Sequence, residues 1–202
     1  MGAGEAMTTP HEPSSDYIRF DEIEDVVVSA ELVAHLAPLL DAHPSYWKWV
    51  IVAAHNAMQG AMVCALADST GTSVLDESAK KVLDWLNAGM SGDPPDENLA
   101  SFRRLLNRCT SGPEPLLRLK PQQCQDITQL HDDLRNKFTH FLPHLSWSIP
   151  KADLSRIITT ALGAVESLMS RFPMETRVHG ERQSERLNRA LQACEARFGC
   201  AP

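Results

Sequence analysis

The chain has 202 residues, 43% of them hydrophobic, and a formal net charge of −7. That length allows one domain with a real core, or such a domain with a small appendage. Four basic residues face sixteen acidic ones in 1–100, and fifteen face ten in 101–202, so the chain as a whole is excluded as a generic polyanion binder, while a local site in its second half stays open.

Residues 1–20 are rich in Pro, Ser, Thr and acid and read as a disordered leader. They contain no basic stretch followed by an apolar one, so no signal peptide is expected. Met1-Gly2 lacks the Ser or Thr that myristoylation wants at position 6, where Ala6 stands. The five cysteines (Cys64, Cys109, Cys124, Cys194, Cys200) are scattered and odd in number. That speaks against a disulfide framework or zinc ribbon and for a reducing, cytoplasmic compartment.

Helical signals follow almost without a break. Ser29 is a candidate N-cap for a short amphipathic run to about Leu40. Tyr46 to Asp68 is apolar nearly all round and long enough to cross a bilayer. It carries Lys48, His55, Asn56 and Gln59, each expensive in hydrocarbon. His55, Asn56 and Gln59 share one narrow face, which fits the central helix of a bundle and no membrane span. That strip is either a set of satisfied core polar groups or one wall of a cleft shared with residues 131–144. Further helices are expected over Leu75 to Leu86, Leu99 to Cys109, Gln122 to Leu142, Pro150 to Phe172 and Arg182 to Phe198. Ser146 to Ile149 is the only strand-like scrap, and no fixed-period repeat is visible. The expected class is all-α, an antiparallel bundle of about six or seven helices.

The stretch HDDLRNKFTHFLPH, His131 to His144, holds three of the eight histidines. Ile127, Leu130, Leu134, Phe138 and Phe141 step by three or four and form a core stripe. Regular helical spacing puts Asp132, Arg135, Asn136, Thr139 and His140 opposite that stripe. A solvated outer face, supported by pairs such as Asp133 with Lys137, is the plain explanation. His140 and His144 have metal-chelating spacing, but Pro143 breaks the turn between them and no carboxylate completes a ligand set, so no metal is expected. Phosphoryl chemistry fits better. An imidazole titrates near neutrality and can move a proton, and the Arg135 fork suits phosphate oxygens. Asn136 stands one turn before His140, in position to orient it or bind substrate. Acid and base roles normally need two groups, which a second copy of the helix in a symmetric dimer would supply.

Arg135-Asn136-Lys137-Phe138-Thr139-His140 resembles the R-N-x-x-x-H form of the R-x(4–6)-H motif of HEPN domains, late in a long helix of an all-α bundle. The resemblance covers roughly residues 30–172. The chain then divides into a leader at 1–20, a HEPN-like bundle at 21–175 and a charged C-terminal helix at 176–202, the first and last outside the resemblance. The resemblance implies a homodimer with facing motif helices and metal-independent endoribonuclease activity that leaves 2′,3′-cyclic phosphate ends. In many relatives that activity serves a toxin or phage-defence system with an antitoxin-like partner. Arg135 and His140 take the catalytic positions and Asn136 the supporting polar one. Lys137, Arg103 and Arg104, together with Arg108, Arg118 and Lys120, are the cations available for an RNA track. The alternative is a non-catalytic helical dimer serving as an interaction or regulatory module, since many such domains only bind.

Overall fold

A computed structural model describes residue 18, residues 20–140 and residues 148–199, Glu175 by its backbone alone. The leader apart from Ile18 and Phe20, residues 141–147 with Phe141, Pro143, His144 and half of the strand-like scrap, and Cys200 lie outside the described residues. The protein is mostly helical, 71%, with seven helices, the motif helix counted once although it is labelled in two parts, and no strand among the described residues, so the all-α expectation holds.

The first helix, α1 (Glu22–Leu36), begins well before Ser29. Asp21 is its N-cap, with Oδ1 accepting from the Glu24 N–H at 2.8 Å, and Glu22, Glu24 and Asp25 complement the positive end of the helix. Ser29 is instead a buried mid-helix residue. Replacing Asp21 with Ala removes the cap, and the urea midpoint should fall by an amount worth about 1 kcal/mol.

The central helix is α2 (Trp47–Leu66), which packs against α1, α4 and α7. Its segment Pro44–Leu66 has a mean hydropathy of 1.4, enough by length and composition to cross a membrane. More than half of that apolar stretch is buried by the other helices, as a bundle core requires. A glycine at position 60 lets α2 lie close on α1, because a Cβ there would stand 2.8 Å from Val26 Cγ2.

Two shorter helices follow, α3 (Ser78–Asn87) and α4 (Phe102–Thr110). Ser101 caps α4, accepting from the Arg104 N–H at 3.4 Å. Val74 to Ala100 is drawn together by backbone bonds, Ala100 N–H to Val74 O and Asp76 N–H to Asn98 O, both 2.9 Å. Arg108 secures that segment through the carbonyls of Ser73 (2.7 Å) and Leu75 (2.9 Å).

The motif helix starts as α5 (Pro121–Gln129), widens into a π-helical turn (Leu130–Arg135) and ends as a short α6 (Asn136–Thr139). Ile127, Leu130 and Leu134 are fully buried and Phe138 packs partly against the core, as the stripe predicts. Next comes α7 (Lys151–Met169), tied to α5 by the buried Asp126. That carboxylate accepts from Gln122 Nε2 (3.0 Å), Arg156 Nε (3.2 Å) and Thr160 Oγ1 (3.1 Å), so a charge 1% exposed is fully partnered.

The last helix, α8 (Gly180–Phe198), packs along α1 and α7. Leu187, Ala190, Cys194 and Phe198 are buried, and Arg186 bonds Glu24 (2.7 Å) and Glu31 (2.8 Å) across to α1. Its charged residues thus cover one face while the other completes the core, so Gly180–Phe198 is an integral helix of the bundle. Cys64, Cys109 and Cys194 are free and buried, and burial pushes their thiols up to about 12, 11 and 11.

Candidate active site

The residues that bear chemistry on the motif helix are arranged by its π turn. A π turn is rare and usually confined to a single turn within an α-helix, often at a functional site. Here Asn136 Nδ2 donates to the Asp132 carbonyl at 3.1 Å and Thr139 Oγ1 donates to the Arg135 carbonyl at 2.8 Å. Side chains thus satisfy backbone acceptors around the altered turn. The helix ends at His140, whose N–H still bonds the Asn136 carbonyl (2.8 Å) while its own backbone leaves helical geometry.

Of the expected trio, Arg135 and Asn136 are brought together. Arg135 is half-buried and donates through one terminal nitrogen to Asn136 Oδ1 at 3.1 Å. Asn136 therefore orients the guanidinium and not the His140 ring. His140 is exposed at the helix end. The guanidinium of Arg135 has no carboxylate partner among the described residues.

The other cations are differently placed. Arg103 grips Asp132 with two nitrogens, Nε at 3.0 Å, and Lys137 lies 3.9 Å from Asp133. Arg104 lies 3.7 Å from Glu77 on an exposed edge, and Arg108 is committed to the backbone contacts given above. Arg135 is the motif cation with no carboxylate partner among the described residues.

The sequence did not pair His55 with His131. His55 Nε2 lies 2.9 Å from His131 Nδ1, joining α2 to the π turn. The rings are near-parallel (14°), and the Phe102 ring covers both, with centroids 4.7 Å from His55 and 4.4 Å from His131. His55 is 2% exposed and its Nδ1 has no partner among the described residues. Burial, then the neighbouring His131 and Arg135, lower its pKa to about 4, so it is neutral at physiological pH. His131 is lowered as well, by burial first, with Asp132 opposing and Arg135 and Arg103 reinforcing the shift. Its Nε2, on a side chain 22% exposed, lies 3.9 Å from Asp132 Oδ1. Of the polar strip on α2, His55 thus meets the His131–His144 stretch, while Asn56 is exposed and Gln59 half-buried.

No protein-family model, curated protein or solved structure matches this chain.

Proposed function

We propose that the protein is a HEPN-like, metal-independent endoribonuclease that acts as a homodimer, of the toxin or defence type. The observation that carries this reading is Arg135: a half-buried guanidinium, fixed by Asn136, without a carboxylate among the described residues, five positions before an exposed histidine. A permanently charged planar fork with open valences suits a phosphodiester and stabilises charge on the phosphorane. His140 has the proton chemistry the cleavage needs.

Purified protein incubated with total RNA and EDTA should release fragments with 2′,3′-cyclic phosphate ends. Arg135→Ala and His140→Ala should each slow cleavage by about 100-fold or more. Intact RNA in the wild-type reaction would end the proposal.

A second reading, a non-catalytic interaction module, draws on a groove between α7 and α8. It encloses about 170 Å³ above Leu162, Gly163 and Leu191, with Glu166 and Glu195 at its edge. Under that reading His140→Ala leaves binding of a partner intact, whereas Gly163→Trp, which fills the groove, abolishes it.

A further inference from the structure

A single chain presents two histidines on the motif helix that are too far apart to serve one phosphate. His131 and His140 are nine positions apart, a rise of about 13 Å along the axis. Acid and base must flank one phosphodiester, each within hydrogen-bond reach of its oxygen. The pair has a particular symmetry, since Arg135 and Asn136 stand midway between the two histidines. If two copies of this helix cross antiparallel with a two-fold axis at that midpoint, His131 of each copy comes beside His140 of the other.

We propose that His131 is the general base of the site, that His55 is its positioning residue, and that the acid is His140 of a second copy of the chain. The proposal rests on the ribonuclease reading above.

Three features of the site prepare His131 for this role. Its Nδ1 is held by His55 at 2.9 Å, and its ring is fixed in plane by Phe102. Its Nε2 is the edge left outside the His55 contact, on a side chain that is partly exposed. His55, kept neutral by burial, can accept the Nδ1–H of His131, and that tautomer leaves the Nε2 lone pair free. Asp132, 3.9 Å from Nε2, favours the cation once it forms.

In the step, the His131 Nε2 takes the proton of a ribose 2′-OH. The O2′–P bond forms and the P–O5′ bond breaks. The partner copy's imidazolium supplies a proton to the departing O5′, and Arg135 faces the charge on the phosphorus oxygens. The products are a 2′,3′-cyclic phosphate and a free 5′-hydroxyl. The proton lost by one imidazole is gained by the other, so no further reactant is required.

The arrangement predicts complementation. His131→Gln and His140→Ala homodimers should each be slowed by about 100-fold or more. Co-produced so that dimers form at random, the two variants should recover about a quarter of wild-type activity. Half the dimers are then mixed, and each mixed dimer has one intact His131–His140 site. Recovery also proves that both variant chains fold. His55→Gln, whose carboxamide can still accept from Nδ1, should keep more activity than His55→Leu, and the basic limb of the pH–rate profile should be retained. A wild-type enzyme that leaves RNA intact would overturn both proposals. Cleavage by wild type with His131→Gln equally active, or with folded dimeric variants that stay silent on mixing, would overturn this one alone.

Discussion

Acidification from pH 7 to pH 4.5 is expected to lower the folding stability of the chain by roughly 2–3 kcal/mol through His55 alone. The group titrates at about 4 in the fold against 6.5 when free. A histidine whose folded value lies below its unfolded value binds protons more readily when unfolded. Its destabilising effect is therefore absent above pH 6.5, grows as pH falls through the window, and is complete below about 4. Burial sets the sign first, and the charged groups that face the ring add to it. Phe102 of α4 offers no hydrogen-bond acceptor, His131 is itself lowered, and Arg135 repels a second cation. Asp132 lies on the far side of His131, where Arg103 engages it. Urea midpoints at pH 7 and pH 4.5 for wild type and His55→Leu measure the effect. The variant should show a much flatter dependence, and parallel curves would rule the buried pair out as the sensor.

Phe198→Ala should destabilise the whole bundle by about 3 kcal/mol or more, the scale for emptying a buried aromatic site. Phe198 is 5% exposed and its ring centroid lies 5.9 Å from that of Trp47, at the start of the central helix. α8, the helix of Phe198, is pinned to α1 by Arg186, whose hydrogen bond holds the Glu31 carboxyl below its usual value. Thermal unfolding should remain a single transition with a lower midpoint. A separate early transition of α8, with the rest unaffected, would instead mark it as an appendage.

The fold class and the core stripe of the motif helix were legible because they depend on local periodicity. Ile127, Leu130 and Leu134 repeat at helical spacing, and burial follows wherever that helix docks. The start of α1 was less so. Asp21 with Glu24 three residues on is a capping pattern, but it stands against the polar leader, and Ser29 offered a competing cap inside an apolar run. In the candidate site, Arg135 and Asn136 could be paired from adjacency. The His55–His131 bond joins residues 76 positions apart and depends on how α2 passes the motif helix. A wheel drawn at constant angle sets His131 on the flank of the stripe, about 40° from Arg135. The π turn changes that angle, and nothing in Leu130–Arg135 announces it.

That turn makes the motif helix a rod with two phases. Its first part is keyed to α7 through Asp126 and its last part ends at His140, and the wider turn between them absorbs the mismatch. The turn carries two core residues, Leu130 and Leu134, beside His131 and Arg135, so the direction in which the reactive side chains leave the helix is set by the same turn that seats the core.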